Sequence, residues 1–390
     1  MLFIELYYRT AVHILLSKLK LRKEGDLLKE KIKTVSVTCF VLACCVLAVI
    51  YSKETASAVR VASERCLTVI IPSLYIFTAL SGLLIKSGIY KAIGRPFSFF
   101  SRHILRMKDE HFGIFLISSF AGYPIGAKLI SEMYDSGKIK KAEAERLLCV
   151  CYSSGPPFLI GTVGMSLFGP QNALKAGLAM FLAIFLCSLA AAFVLFRKEP
   201  APPVSAEKLH IKLSADDLVS SVINGGKSMF VICAVIIFFA AFAEILSQTG
   251  IIRLLSDSLS SVTGIFPEKS AVLIRSVFEI SNISELDVSS AALYPAAASL
   301  MSFGGICVLL QIKAMVGKRF SLKPFLTARI FCAALSYPMV KFVFWLLNID
   351  VSSSVMHNIC AVSRDISPIP TIFLLIMTIL LLSKKSVAKF

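Results

Sequence analysis

The chain has 390 residues, of which 56% are hydrophobic, and its formal net charge is +17. Several apolar runs approach the roughly 20 residues that cross the hydrocarbon core of a bilayer, which excludes an ordinary soluble domain and indicates a polytopic membrane protein. The lipid bilayer is therefore an expected partner. Nucleic acid is not, because the basic residues show none of the aromatic interleaving of a known nucleic-acid-binding module.

The first 34 residues predict an amphipathic segment at the cytoplasmic surface or the membrane interface. Glu5 and Arg9 lie within its apolar part, and a basic stretch follows them. No small-residue cleavage site follows a clean apolar core, so we expect the segment to be retained and not removed as a signal peptide. An extra N-terminal span is predicted directly after it, at residues 35–51.

Apolar windows along the chain predict eight full transmembrane spans. They cover residues 35–51, 67–85, 147–168, 173–196, 228–246, 291–312, 325–347 and 369–382. Two shorter, interrupted stretches, 112–130 and 271–287, are predicted to be re-entrant hairpins that enter and leave on one side.

In this predicted topology, the loops on one side of the membrane hold 29 Lys and Arg residues and the loops on the other side hold six. The positive-inside rule places the basic side, and with it both termini, in the cytoplasm. If both hairpins were full crossings, the basic segment 132–146 would move to the opposite side. The re-entrant arrangement is therefore favoured.

Four segments recur in the same order on the two sides of a linker at 197–217, which is rich in proline and charge. The matching pairs are 75–94 with 238–257, 116–127 with 273–284, 153–161 with 302–310, and 174–181 with 326–333. Each half contains three crossings, an odd number, so the second copy is predicted to insert upside down. Inverted repeats with broken helices at matching positions are typical of secondary transporters.

The predicted fold class is thus an all-α polytopic membrane protein with two inverted repeats, re-entrant hairpins and broken helices. The first repeat is predicted at 57–196 and the second at 218–347. A C-terminal span and tail are predicted at 348–390.

The first interrupted stretch contains the sequence "AGYPIGAK". Irregular backbone at membrane depth is tolerated only where protein or a water-filled cavity surrounds it. A helix that restarts after such a break is expected to present unpaired N–H groups to an anion, and Lys128 adds a full positive charge. The substrate-binding residues predicted in this half are Gly122, Tyr123, Pro124, Gly126, Lys128, Ser153, Ser154, Pro156 and Pro157.

The corresponding stretch of the second half contains the sequence "RSVFEISNISELD". Glu279 and Asn282 are three residues apart, a spacing that points both at one face of a helical turn. We expect Lys128 and Glu279 to meet near the pseudo-twofold axis, with Lys128 binding a carboxylate and Glu279 carrying a coupling proton or cation, if one is used. The substrate-binding residues predicted in this half are Glu279, Ser281, Asn282, Ser302, Gly304 and Gly305.

Structural interpretations of the same residues remain open. Lys128 can reach the cytoplasmic interface, and Glu279 can pair with Arg275 four residues earlier. Arg329 and Lys341 are expected to pair with carboxylates or to reach the interface. The prolines at 156–157 and the glycines at 304–305 also suit a kink and close helix packing.

An enzyme is not predicted. The sequence contains no H-E-x-x-H motif, no G-x-S-x-G motif and no phosphate-binding P-loop, and no metal or other cofactor is expected. The eleven cysteines lie mostly within the spans and include no C-x-x-C pair, so they are interpreted as packing groups.

The sequences "GYPIGAK", "SSGPPFLIGTVG", "FEISN" and "KPFLTARI" resemble the YlbJ-like sporulation integral membrane proteins, over residues from about 35 to 385. The two halves of that family carry the nucleoside-recognition or Gate domain. The resemblance implies kinship to concentrative nucleoside transporters, which have re-entrant hairpins with binding residues at their tips. It also implies a role in moving dipicolinic acid from the mother cell across the outer forespore membrane during sporulation.

The expected function is accordingly secondary transport of a small anionic solute. The alternative is a non-transporting membrane scaffold, or a sensor of a nucleoside or other small ligand, that acts with envelope partners. A homo-oligomer is left open by the sequence.

Overall fold

The computed structural model describes residues 30–200, 202, 211, 213–349 and 351. All regular secondary structure in these ranges is helical, which confirms the predicted all-α fold class. The predicted span 369–382 and most of the N-terminal amphipathic segment lie outside the described residues.

The chain divides into two compact units, Met1–Ser57 and Ala58–Phe390. The described part of the first unit contains helix α1, Glu30–Ile50, and the start of α2. Helix α1 covers most of the predicted first span, and its side chains are largely exposed.

The remaining helices follow in an order that is similar in the two halves. In the first half they are α2 Ser52–Arg65, α3 Ile71–Lys86, α4 Ile89–Gly94, α5 Asp109–Ala121, α6 Ile125–Asp135, α7 Lys141–Val150, α8 Pro156–Phe158 and α9 Met165–Phe196. In the second half they are α10 Ala215–Gln248, α11 Ile251–Thr263, α12 Pro267–Phe278, α13 Tyr294–Phe303, α14 Gly305–Val316 and α15 Lys323–Leu346. Each half thus has a long helix, a short helix, an interrupted hairpin, a helix broken near a glycine and a further long helix.

Six stretches of the described chain are long and apolar enough to cross a membrane. They are Glu30–Ile50, Ser52–Lys86, Pro156–Phe196, Ala215–Gln248, Val288–Val316 and Lys323–Leu346. The stretch Pro156–Phe196 contains most of two predicted spans, divided where Gly169 adopts a φ of +71° immediately before Pro170. Large apolar side chains such as Phe230 and Trp345 are more than 70% exposed, as expected for helices that face lipid.

The hairpin of α5 and α6 begins and ends at one end of the helical bundle. Lys108, just before α5, pairs with Glu143 at 2.8 Å, and Asp135, the last residue of α6, pairs with Arg319 at 2.7 Å. Glu145 accepts a hydrogen bond from the Ser321 backbone at 2.9 Å. These contacts bring the basic segments 86–110, 132–146 and 313–323 to a common end, which we call the basic end.

The segment around α12 begins and ends at the other end of the bundle. Helices α9 and α15 run antiparallel, and Lys175 near the start of α9 donates to the Asn348 carbonyl beyond α15. Val288 lies beside Gly169 in the same region. Lys269, in the first turn of α12, donates to the Ser289 carbonyl at 3.0 Å. Both interrupted segments therefore return to the end from which they start, while the inversion of the repeats stays a prediction.

Candidate solute and coupling site

The interrupted segments of both halves line one cavity between the helices. Its polar wall residues are Tyr123, Ser154, Glu279, Ser281 and Gln311. The rest of the wall is mainly apolar and comes from α3, α10 and α14, for example Leu74, Ile232 and Val308. Segments more than 150 residues apart in sequence thus meet at one site.

The first tip, between α5 and α6, packs directly on the broken helix that follows it. The Tyr123 N–H donates to the Ser153 carbonyl at 2.8 Å. The Ile125, Ala127 and Lys128 N–H groups donate to carbonyls of the tip itself, at 3.1–3.3 Å. The expectation that this helix start offers unpaired donors to an anion is therefore wrong for these N–H groups, because the chain's own carbonyls accept from them.

Gly126 allows this close packing. A Cβ atom on Gly126 would lie 2.0 Å from the Cys151 carbonyl oxygen and 3.1 Å from the Ser118 Cβ. Backbone cannot move aside as a flexible side chain can, so the two segments would have to separate.

We expect Gly126→Ala to lower the free energy of unfolding by about 1–3 kcal/mol, the usual cost of forcing extra volume into a packed core. Gly226→Ala is the matched control, because a Cβ atom at Gly226 in α10 meets nothing within 4 Å. Thermal unfolding of the purified proteins in detergent measures both. Equal melting temperatures for the two variants would contradict the close approach.

The break between α7 and α8 is stabilised by a buried arginine. Arg329 on α15 is fully buried, and its guanidinium donates to the Cys149 carbonyl and, at 3.3 Å, to the Tyr152 carbonyl. Its guanidinium carbon also lies 4.7 Å from the centre of the Tyr152 ring. A cation at the C-terminus of α7 satisfies carbonyls that have no intrahelical partner. The expectation that Arg329 pairs with a carboxylate or reaches the interface is therefore wrong, because its side chain is fully buried and donates to carbonyls.

The same break joins the two halves. Tyr152 donates from its hydroxyl to the Phe303 carbonyl at 2.8 Å, and the Ser154 hydroxyl donates to the Met301 carbonyl at 3.0 Å. Gly304, with a φ of +88°, leaves room for the Tyr152 hydroxyl, which would lie 1.5 Å from an added Cβ atom. The breaks of both halves therefore contact each other directly.

The second tip differs from the helical turn that the sequence suggested. Helix α12 ends at Phe278, and Glu279 is extended, with φ −137° and ψ +111°. Its carboxylate is 3% exposed and accepts from the Ser281 N–H at 3.1 Å and from the Ser281 hydroxyl. Glu279 therefore caps the 3-10 turn Ile280–Glu285 and does not share a helical face with Asn282.

The cation beside Glu279 is Arg65, which sequence reasoning missed. The Arg65 guanidinium donates to the Ser281 hydroxyl at 2.9 Å and to the Asn282 side-chain oxygen at 3.4 Å, and it lies 4.0 Å from the Glu279 carboxylate. Arg275 pairs at 3.1 Å with Glu285, so the expected pairing of Arg275 with Glu279 is wrong. The position of Arg65 just before a predicted apolar span indicates a charge near the membrane, but nothing in the sequence indicates its partner.

The structure brings together only part of the predicted site. Gly122, Tyr123, Ser154, Glu279 and Ser281 line the cavity. The other predicted residues are not among its wall residues: Pro124, Gly126, Lys128, Ser153, Pro156, Pro157, Asn282, Ser302, Gly304 and Gly305. Lys128 is 7% exposed, and the charged groups that act on its ammonium belong to Glu132 and Lys86, so the expected meeting with Glu279 is not found.

Glu279 is the one charged residue among the described residues that line the cavity. A carboxylate in a mainly apolar wall favours a proton or a cation, and here Arg65, 4.0 Å away, offsets part of its negative charge. No cluster of three or more His, Cys, Asp or Glu side chains suited to a metal ion occurs in the part of the chain described. The geometry thus suits binding of one proton or small cation by a single carboxylate.

Comparison with known proteins finds a similar sporulation protein. The chain is 27% identical over 334 residues to the "Sporulation integral membrane protein YlbJ" of Bacillus subtilis strain 168, which covers 77% of this chain and 80% of the relative. The chain is therefore similar to a membrane protein of sporulation. This finding confirms the predicted resemblance to the YlbJ-like sporulation membrane proteins and agrees with an integral membrane protein, while the predicted kinship to nucleoside transporters stays a prediction.

A second comparison concerns the middle of the chain. The sequence profile described as "Na+/H+ antiporter family" matches residues 203–280, a segment that includes α10, α11, α12 and Glu279. No solved structure matches the chain.

Proposed function

We propose that this protein is a secondary transporter that moves a small anionic solute and couples its movement to a proton or cation on Glu279. The observation that carries the proposal is the buried Glu279 carboxylate in the wall of a cavity where the broken segments of both halves meet. An ionised side chain at membrane depth costs free energy, so it is retained mainly where it has a partner or a function.

The charge of the cavity gives a physical reason for coupling. An anionic solute beside an ionised Glu279 is repelled, whereas a proton or cation on the carboxylate removes that repulsion. Solute and coupling ion then favour each other's binding, as linkage requires. Arg65, 4.0 Å from the carboxylate, supplies a positive charge that attracts the anion more strongly once Glu279 is neutralised.

The comparisons support this proposal at two levels. The match to the Na+/H+ antiporter family over residues 203–280 supports a proton or sodium ion as the coupling ion. The similarity to a sporulation membrane protein supports a role in sporulation. By resemblance we propose dipicolinic acid as the solute and the outer forespore membrane as the location, with both termini cytoplasmic and with inverted repeats at 57–196 and 218–347.

Uptake into proteoliposomes tests the proposal. Purified protein is reconstituted, labelled dipicolinate is added outside, and uptake is followed with and without an imposed pH or sodium gradient, with a labelled nucleoside as the comparison solute. We expect saturable dipicolinate uptake that a gradient accelerates. Dipicolinate or nucleoside binding without uptake of either would contradict transport and support the sensor.

A further inference from the structure

Among the described residues, Lys128 is the lysine whose ammonium is buried without a hydrogen-bond partner. Its side chain is 7% exposed, and its Nζ atom has no hydrogen-bond partner. Glu132 and Lys86 act on it electrostatically, but neither forms an ion pair with it. A buried charge without a partner is costly, so its retention points to an anion that binds there.

The helix register locates Lys128 relative to the cavity. The Ser131 hydroxyl donates to the Met315 carbonyl, and Asp135 pairs with Arg319, so both contacts join residues that are 184 positions apart. Helix α6 therefore runs in the same direction as α14 and the residues just after it, with the same offset at both contacts. Adding 184 to 128 gives 312, which places Lys128 level with Ile312.

Two residues of α14 line the cavity just beyond that level. Gln311 is next to Ile312, and Val308 lies four residues before it, about 6 Å along the helix axis. Lys128 thus lies about one helical turn from the level of Val308, on the side toward the basic end.

Lys128 also lies on the face of α6 that contacts α14. Lys128, Ser131 and Asp135 are spaced at i, i+3 and i+7, which places them on one face of the helix. Lys86 lies farther toward the basic end, because the carbonyl of its neighbour Ile85 accepts from Lys138 in the basic segment 132–146. Lys128 and these basic residues therefore lie on the same side of the cavity, where their positive charge attracts an anion.

We propose that Lys128 forms an anion-binding position that is separate from the cavity at Glu279. This position binds a carboxylate of the solute between the cavity and the basic end. This inference rests on the proposed function, because it assigns a second position to the same solute. The shared chemistry is that of a small oxyanion, so a lipid phosphate is the competing ligand that the experiment must distinguish.

Binding of dipicolinate to the purified full-length protein tests the inference. Titration calorimetry is carried out in nanodiscs of zwitterionic lipid and again with anionic lipid, on wild type and on Lys128→Gln. We expect Lys128→Gln to weaken dipicolinate binding about tenfold, the scale of a lost charge-assisted hydrogen bond. Lys128→Arg keeps the charge and is expected to restore most of the affinity, which shows that loss of folding is not the cause.

Lys318→Gln is the matched control, because Lys318 is an exposed lysine at the same end of the bundle. Its affinity for dipicolinate is expected to equal that of the wild type. Unchanged affinity of Lys128→Gln would overturn the inference. An equal loss of dipicolinate affinity in Lys128→Gln and Lys318→Gln would also overturn it. So would a failure of dipicolinate to bind in zwitterionic lipid together with competition by anionic lipid, since lipid phosphate would then be the ligand. If dipicolinate binding depends on Lys128 but proteoliposomes show no dipicolinate uptake, transport is refuted while the anion-binding position at Lys128 is supported.

Discussion

Glu279→Gln is expected to abolish the acceleration of dipicolinate uptake by a pH or sodium gradient, while exchange of labelled for unlabelled dipicolinate without a gradient continues. Glutamine is nearly the same size, and its side-chain oxygen can still accept from the Ser281 N–H, so the second tip keeps its shape. It carries no charge and cannot take up a coupling proton or cation. We expect uptake with a gradient to fall to the rate without one, a drop of about tenfold, since coupling free energies of about 1–3 kcal/mol correspond to about 5- to 150-fold.

Glu268→Gln is the control for this experiment, since Glu268 is an exposed carboxylate in the first turn of the same helix, α12. Its gradient-driven uptake is expected to match that of the wild type. If Glu279→Gln retains full gradient-driven uptake, Glu279 does not carry the coupling ion. Loss of both exchange and gradient-driven uptake would instead assign it a structural role.

Arg329→Met is expected to destabilise the fold more than Gly126→Ala does. Methionine fills a similar volume but leaves the Cys149 and Tyr152 carbonyls without a donor inside a fully buried site. Each unpaired buried polar group costs about 1–3 kcal/mol, so loss of the donor to both carbonyls should lower the free energy of unfolding by about 2–6 kcal/mol. Arg329→Lys should recover only part of this loss, because an ammonium lacks the planar, forked donors of a guanidinium.

The measurement is the melting temperature in detergent together with the fraction of monodisperse protein after purification. Lys341→Met on the same helix is the control, since it also removes one positive charge but at an exposed position. It should behave like the wild type. Similar melting temperatures for Arg329→Met and wild type would show that the break between α7 and α8 does not need this donor.

The sequence predicts the parts of this fold that depend on local chemistry. Apolar runs of sufficient length locate the spans, because a bilayer imposes one length scale. Glycine and proline locate the breaks at 122–124, 155–157 and 304–305, because these residues disfavour continuous helix. Glu279 is recognisable as a charge within an apolar context.

The contacts between distant segments are not predictable in this way. Arg65 and Ser281 are 216 residues apart, and their contact depends on how α2 packs against the second tip. The end of α12 at Phe278 moves Glu279 off the helical face that its spacing from Asn282 suggested. At the first tip, the Tyr123 N–H meets a carbonyl of another segment, so a donor that looks free in sequence is paired in the fold.

The most direct test of the central claim is the accessibility of the cavity from each side of the membrane. Ser154 is replaced by cysteine in a background without native cysteines, and a membrane-impermeant thiol reagent is applied to one face at a time. Because Ser154 lines the cavity where both halves meet, alternating access predicts labelling from either face, with the favoured face changing when dipicolinate or a gradient is applied. Labelling from one face under every condition, or from neither, would contradict the account.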